Sequence, residues 1–285
     1  MTEILSQLPN PKGLYAKAVT TARRKPGKDV EIPQIDVKVS GVIAGAKRLA
    51  AYRKLCGFES GDFLPITFPQ VQAAPLHMWL MLQPRFPIPL MGIVHVRNTF
   101  DTLRPMPVDA AYEVRAALTA GRRTHQGVEF DILTEYTDES GEVVHRSLMT
   151  PLYRMKSEAA KPKGKPAPAP VALAEYRAFD VPADMGRRYA PVGGDFNPIH
   201  LHSLTAKAFG FPRAIAHGMW SVAKVAALLE AARGGQAATH LSVQFKQPLL
   251  LPGKVSLKFN GPGAEMEFAL LSRTSDKVHL VGSML

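Results

Sequence analysis

Two short segments in the C-terminal half of the chain concentrate residues that can transfer protons. In the first, residues 189–200, a glycine pair precedes Asp195 and an Asn-Pro step precedes His200. Because glycines let the backbone fold tightly and Asn-Pro favours a turn or a helix start, the carboxylate and the imidazole are expected to lie close together. One group can then hold a proton while the other accepts one. The segment predicts an acid–base site.

The second segment, residues 216–219, reads Ala-His-Gly-Met and begins an apolar stretch that predicts a helix. The first N–H groups of a helix lack intrahelical partners, and the helix dipole favours negative charge beside them. Gly218 has no side chain, so its N–H is the candidate donor to a developing charge; close helix packing is the other explanation. Asn197 either orients a neighbour in the site or caps a helix, and His217 is either structural or part of the site.

Together the two segments resemble the signature of the MaoC-like, (R)-specific enoyl-thioester hydratases, also called the hydratase 2 family. In that signature an aromatic residue precedes Gly-Asp-x-Asn-Pro-aliphatic-His, and a small residue, here Ala206, follows six positions later. The His-Gly-Met triplet matches the start of the family's central helix, so the resemblance covers roughly residues 170–285. One departure is Gly193, which stands where a small hydroxyl residue is more usual.

The resemblance implies a hydro-lyase that reversibly hydrates 2-enoyl thioesters and dehydrates (R)-3-hydroxyacyl thioesters of coenzyme A or acyl carrier protein, as in fatty-acid metabolism. It implies that Asp195 and His200 form the catalytic pair and hold the reacting water. The resemblance favours Asp195 as the source of the proton given to C2, while the sequence leaves the division of acid and base roles between the two residues open. Gly218 and Asn197 are the expected substrate-binding residues. No cofactor and no metal ion are implied.

Composition narrows the class of protein further. The chain has 285 residues, 46% of them hydrophobic, which is enough for two domains with sizeable cores. Its single cysteine, Cys56, excludes an internal disulfide, and no basic leader or long apolar run is present, so we expect a cytoplasmic protein without a membrane span. The net charge of +11 favours an anionic partner, and the lack of a nucleic-acid-binding module argues against nucleic acid. The basic residues 23–25 are expected to be solvated.

Two halves of similar plan are predicted. Residues 156–170, rich in proline, alanine and lysine, form a linker between a domain at residues 1–155 and a domain at residues 171–285. In each half a predicted apolar helix, residues 75–82 or 217–233, precedes β-rich segments at an offset of about 140 positions. The predicted strands are residues 93–100, 112–118, 128–136 and 143–153, then 240–245, 254–259, 265–272 and 277–284.

A helix that is apolar around most of its circumference must be surrounded by other structure. The family resemblance therefore implies an α+β double hotdog, in which two antiparallel sheets each wrap around a central apolar helix and pair as a pseudo-dimer. A homodimer of such chains is possible, and two unrelated α+β domains are the alternative fold.

The first half is expected to be catalytically silent. Residues 60–67 echo the acid–base segment, but Leu64 and Thr67 replace its asparagine and histidine, so this half is assigned a structural and acyl-chain-accommodating role. Two other functions stay open for the chain: a hotdog thioesterase, or an acyl-binding module without activity. Hotdog thioesterases commonly carry a carboxylate on the central helix, whereas Glu230 lies at the far end of the predicted one.

Overall fold

The computed structural model describes residues 2–27, 29–157, 159, 173, 175–261, 263 and 265–285, so most of the predicted linker lies outside the described residues. The helices are α1 (Pro11–Ala18), a 3₁₀ helix (Val19–Arg23), α2 (Ala46–Cys56), α3 (Phe68–Leu82), α4 (Met185–Gly193), α5 (Pro198–Leu201), α6 (Ser203–Ala208) and α7 (Gly218–Ala232). The strands are β1 (Glu3–Leu5), β2 (Ile35–Ile43), β3 (Ile93–Thr102), β4 (Ala111–Thr124), β5 (Gly127–Thr137), β6 (Val143–Arg154), β7 (Glu175–Val181), β8 (His240–Phe245), β9 (Gly253–Phe259), β10 (Met266–Ser272) and β11 (Val278–Met284).

The strand order repeats in the two halves. The sheet runs β1-β2-β4-β5-β6-β3-β8-β11-β10-β9-β7, so β2-β4-β5-β6-β3 of the first half mirrors β7-β9-β10-β11-β8 of the second. Each set of five strands accompanies one long apolar helix, α3 or α7. This arrangement is the expected double hotdog, and each of the eight strands predicted from sequence overlaps an observed strand.

One feature of the predicted fold needs correction: the two halves do not form separate sheets. Strand β3 pairs antiparallel with β8 from Arg97↔Gln244 to Asp101↔His240, and this pairing joins the eleven strands of the described residues into one sheet. The parallel strand β1 extends the sheet beyond β2. The pseudo-dimer is therefore held by backbone hydrogen bonds as well as by side-chain packing.

Helix α3 begins earlier than predicted. It starts at Phe68 rather than at Pro75, because Pro69 occupies the first turn, where a missing N–H costs nothing, and Pro75 is tolerated inside the helix. The starts of α3 and α7 are consequently 150 positions apart, and both helices have 15 residues. By this alignment Thr67 and His217 are the equivalent N-cap residues, and Trp79 and Trp220 lie at opposite ends of their helices. None of the helices among the described residues is long and apolar enough to cross a membrane.

Helix α2 of the first half connects the two halves. It contacts α4 and α7 of the second half, and its residue Arg48 donates hydrogen bonds to the carbonyls of Val192 at 2.8 Å and Val71 at 3.2 Å. A guanidinium that bonds carbonyls from both halves fixes their separation. The apolar core is likewise continuous across the two halves, running from Leu76 and Leu80 of α3 to Val222 and Leu229 of α7.

The segment from Asn10 to Arg24, which we call the N-terminal strap, is tied to the end of α3. Arg24 donates hydrogen bonds to four main-chain carbonyls, those of Met81, Leu82, Gln83 and Ile88. These include the last carbonyls of the helix, which have no intrahelical partner. The expectation that residues 23–25 are simply solvated is therefore wrong for Arg24.

Buried histidines should make the fold sensitive to acid. Burial lowers the pKa of His77, His145 and His217 to about 3 in each case, against about 6.5 in an unfolded chain. A group with a lowered folded-state pKa stabilises the fold fully above its unfolded pKa and loses that contribution as the pH falls. Each of the three histidines should lower the free energy of unfolding by about 2 kcal/mol when the pH falls from 7 to 5. Urea denaturation at the two pH values measures the loss.

A matched variant tests the origin of this effect. His77→Gln can keep the hydrogen bond that joins the histidine Nε2 to Thr134 Oγ1 at 2.8 Å, while removing one titrating group. Its stability should depend less steeply on pH than that of the wild type. Burial raises the pKa of Glu230 to about 7, so this group stabilises the fold as the pH falls. It is a single group and offsets only part of the loss from the three histidines. Equal stability of the wild type at pH 7 and pH 5 would contradict the prediction.

Candidate active site

The acid–base segment folds as a helix end, a turn and a helix start. Helix α4 ends at Gly194, whose φ of +72° places it in the left-handed region that glycine adopts without strain. Asn197 then caps the short helix α5 by accepting a hydrogen bond from the N–H of Ile199 at 3.3 Å. His200 lies in α5, so the turn brings it back towards Asp195. The capping role considered for Asn197 is observed, and its assignment to substrate binding stays a prediction.

The two oxygens of the Asp195 carboxylate have different surroundings. Oδ1 accepts hydrogen bonds from the N–H of Asn197 at 3.0 Å and from the hydroxyl of Tyr15 at 2.5 Å. Oδ2 lies 3.8 Å from His200 Nε2 and 4.0 Å from His217 Nε2. The carboxylate is thus held by one oxygen and presents the other to the two imidazoles. Its side chain is 37% exposed, so small molecules can reach it.

The orientation of His200 is fixed by a main-chain carbonyl. Its Nδ1 lies 2.9 Å from the carbonyl oxygen of Ile215. Since a carbonyl can only accept, Nδ1 carries a proton, and in the neutral ring it is Nε2, facing Asp195, that has the lone pair. The main chain around Ile215 is itself fixed by hydrogen bonds. The N–H of Ile215 donates to the carbonyl of Ile199, and the residues on either side of Ile215 pair with the main chain of Leu249 and Leu251. The structure therefore brings the predicted pair together, with Nε2 of His200 facing the carboxylate of Asp195.

His217 ties the second segment to the first. It is the N-cap residue of α7, its Nε2 lies 3.0 Å from the main-chain carbonyl oxygen of Asp195, and its ring stacks on that of His200 at 3.9 Å between centroids. With its pKa lowered by burial to about 3, the ring is neutral at physiological pH. Of the two roles open to it from sequence, the geometry favours the structural one.

The electrostatics of the site keep Asp195 ionised. Burial raises the pKa of its carboxyl group, but the histidines His217 and His200 and the hydrogen bonds from Tyr15 and the N–H of Asn197 together bring it below the usual 3.8. Burial and the charge of Asp195 raise the pKa of Tyr15 well above 10, so the phenol stays a donor. Tyr15 lies 180 positions from its partner, and nothing in the sequence motif indicates it.

Gly218 is the first residue of α7, as predicted. A Cβ atom there would lie 2.8 Å from the ring of Phe245, so close packing by itself calls for a glycine. As a first-turn residue, Gly218 has an N–H outside the intrahelical hydrogen-bond pattern. Both explanations considered from sequence are therefore compatible with its position, and its role in binding charge stays a prediction.

The unusual Gly193 has a steric cause. A Cβ at this position would lie 2.3 Å from Cε1 of Tyr189, whose ring is fully buried and packs 4.9 Å from that of His217. The tyrosine ring occupies the space that a small hydroxyl side chain would need. The departure from the family signature is thus accommodated by packing and leaves the acid–base pair undisturbed.

Three side chains of the site could in principle bind a metal ion. Ligand atoms of Asp195, His200 and His217 lie within 4.8 Å of one another. The two imidazole rings, however, are stacked 3.9 Å apart with an angle of 29° between their planes, so their in-plane lone pairs lie in two nearly parallel planes that do not meet close to the rings. His217 also uses Nε2 to bond a carbonyl. This donor set suits a metal ion poorly.

Comparison with known proteins places this site in a family. The sequence model of the MaoC-like domain family matches residues 157–278. The chain is also 32% identical over 228 residues to 3-hydroxyacyl-thioester dehydratase X of Mycobacterium tuberculosis, a match that covers 80% of each protein. The chain belongs to the MaoC-like dehydratase family. Its acid–base segment and the start of α7 both lie within the matched domain.

Solved structures agree with the fold of a MaoC-like protein. The crystal structure of HtdX from Mycobacterium tuberculosis matches with a TM-score of 0.74 at 30% identity, over 87% of this chain and 98% of that one. The MaoC-like dehydratase of Phytophthora capsici matches with a TM-score of 0.67 at 18% identity, over 90% of this chain and 96% of that one. The second likeness shows a shared fold alone.

The contact between Gly193 and Tyr189 leads to a prediction. Gly193→Ser restores the small hydroxyl residue of the family signature but places its Cβ against the buried ring. We expect a loss of about 1–3 kcal/mol in the free energy of unfolding, typical of overpacking. Chemical denaturation measures it against Gly27→Ser, an exposed position with nothing within 4 Å of the added atom. Equal stability of the two variants would show that the ring moves aside freely.

Proposed function

We propose that this protein catalyses the reversible hydration of 2-enoyl thioesters to (R)-3-hydroxyacyl thioesters, with Asp195 and His200 as its catalytic residues. The observation that carries the proposal is the position of His200 Nε2, which the contact between Nδ1 and Ile215 orients 3.8 Å from Asp195 Oδ2. In a MaoC-like protein, this pair has the residue types and the geometry that the addition of water to an activated double bond requires.

One water molecule can lie within hydrogen-bond distance of both reactive atoms, since 3.8 Å is shorter than the length of two hydrogen bonds. In the hydration direction the water gives a proton to His200 Nε2 while its oxygen attacks C3. Because Asp195 is ionised at rest, the proton that it gives to C2 has to come from the water by way of His200. One proton enters the pair and one leaves it, so both groups return to their starting states.

Negative charge develops on the thioester oxygen during this addition. The N–H of Gly218 is the proposed donor, because first-turn amides are unpaired within the helix and the dipole of α7 is positive at this end. A donor of this kind typically stabilises a transition state by about 3 kcal/mol. Asn197 supports the site by holding the turn between the two catalytic residues.

The proposed substrates are thioesters of coenzyme A or of acyl carrier protein. Coenzyme A is phosphorylated and acyl carrier protein is acidic, so the net charge of +11 suits either. No cofactor enters the proposed chemistry, since the water, the acid–base pair and the helix amide account for each bond that changes.

Thioester hydrolysis, the alternative raised by the sequence, lacks a suitable carboxylate on the central helices. Helix α3 contains no acidic residue, and the acidic residue of α7 is Glu230, in its last turn. Glu230 accepts a hydrogen bond from the N–H of Ala238 at 3.1 Å. At 1.5 Å per residue, it lies about 18 Å along the helix from Gly218. This position favours a dehydratase over a thioesterase.

Substitution of the pair tests the proposal. Asp195→Asn and His200→Ala should each lower the turnover of an enoyl thioester by about 10²- to 10⁴-fold, the usual contribution of a positioned acid or base. Loss of enoyl absorbance measures hydration, and release of free thiol measures hydrolysis in the same sample. Circular dichroism checks that the variants fold.

The chain offers a matched control pair. Asp101 Oδ1 and His240 Nδ1 lie 2.6 Å apart where β3 meets β8, away from the acid–base segment. Asp101→Asn and His240→Ala also disrupt an Asp–His contact and should retain hydration activity. Near-normal turnover by both Asp195→Asn and His200→Ala would refute the proposed function.

A further inference from the structure

The N-terminal strap crosses from the first half to the acid–base site of the second. Its far end is held without help from the site, because Arg24 bonds four carbonyls at and beyond the end of α3 and Thr21 Oγ1 accepts a hydrogen bond from the N–H of Leu90 at 3.0 Å. Its near end begins with Asn10, whose side chain caps α1. The strap is thus a fixed element that carries α1 to Asp195.

Tyr15 of α1 makes direct contact with the acid–base segment. Its hydroxyl donates to Asp195 Oδ1 at 2.5 Å, and its ring meets that of Phe196 edge-on at 6.3 Å between centroids. Lys12, on the same helix, lies 5.7 Å from the centroid of the Phe196 ring. The aromatic and cationic contacts do not involve the hydroxyl, so they are retained when the hydroxyl alone is removed.

The hydroxyl has a specific effect on the carboxylate. Two donors, the phenol of Tyr15 and the N–H of Asn197, meet at Oδ1. This fixes the carboxylate plane and leaves Oδ2 directed at His200 Nε2. A hydrogen bond to a charged group is stronger than one between neutral groups, so the phenol also favours the ionised form of Asp195.

We infer that Tyr15 is a positioning residue for Asp195, supplied to the active site of the second half by the N-terminal strap of the first. The inference rests on the proposed function, and it extends the role expected of residues 1–155 beyond structural support and acyl-chain accommodation. The site is completed by a side chain from the half that lacks an acid–base pair.

The experiment replaces Tyr15 with phenylalanine, which keeps the ring against Phe196 and removes only the hydroxyl. We expect kcat for hydration to fall roughly 10- to 100-fold, the loss of one charge-assisted hydrogen bond, with KM nearly unchanged. Tyr112→Phe is the matched control: it removes a hydroxyl that donates to the carbonyl of Pro107 at 3.0 Å in the first half, and it should leave kcat unchanged.

A second readout does not depend on turnover. Carbon-13 NMR of the carboxyl groups, with the Asp195 signal assigned by its loss in Asp195→Asn, gives the pKa of this group in the wild type and in Tyr15→Phe. The pKa should rise in the variant. The other titratable or charged groups around the Asp195 turn are the same in both proteins: His200, His217, Tyr189, Arg48 and Lys12.

The outcomes separate the two proposals. A lower kcat together with a raised pKa of Asp195 supports the positioning role. A wild-type kcat in Tyr15→Phe overturns it, and so does a lower kcat with an unchanged pKa, which would indicate a merely structural contact. If the wild type does not hydrate enoyl thioesters at all, the proposed function fails, while the pKa comparison still reports whether Tyr15 holds the carboxylate.

Discussion

The proposed chemistry of the site depends on one hydrogen bond, from Nδ1 of His200 to the carbonyl oxygen of Ile215. Imidazole has two nitrogens, and this bond decides which of them carries the proton and which is basic. A carbonyl cannot change its role from acceptor to donor, so the choice is stable. Because the main chain around Ile215 pairs with Leu249 and Leu251, the basic nitrogen is positioned by the framework of the second half.

The two halves show how one framework can differ in chemistry. Thr67 and His217 are the equivalent N-cap residues of α3 and α7, yet only the second lies beside a carboxylate. Thr67 instead bonds the hydroxyl of Tyr52 within the core at 2.8 Å. The first half has the same kind of helix and sheet, but this position belongs to its core. Such a division suits the proposed active site, because both members of its acid–base pair belong to the second half.

The sequence predicted the features that depend on local patterns. The spacing between Asp195 and His200 is set by the Gly194 turn and the Asn197 cap, both of which can be read from residue types. Helix α7 is indicated by its almost wholly apolar run, and the eight predicted strands by their β-rich segments. The outer strands β1, β2 and β7 are not among the predicted ones, and α3 begins at Phe68 rather than at the predicted Pro75.

Long-range contacts could not be predicted in this way. Tyr15 reaches Asp195 across 180 positions, and Arg24 finds its carbonyls more than 50 positions away. Neither residue differs in type or context from an ordinary surface tyrosine or arginine. Their roles come from the way the strap crosses the molecule, which only the three-dimensional fold defines.

The junction between β3 and β8 has a consequence for the integrity of the molecule. Five residue pairs along these strands bind each half to the other through main-chain groups. If the chain were cut between its halves and the halves were separated, β3 and β8 would each become an edge strand. Their unpaired N–H and C=O groups could then pair with another chain. Each half on its own would therefore carry an open sheet edge that its counterpart covers in the intact chain.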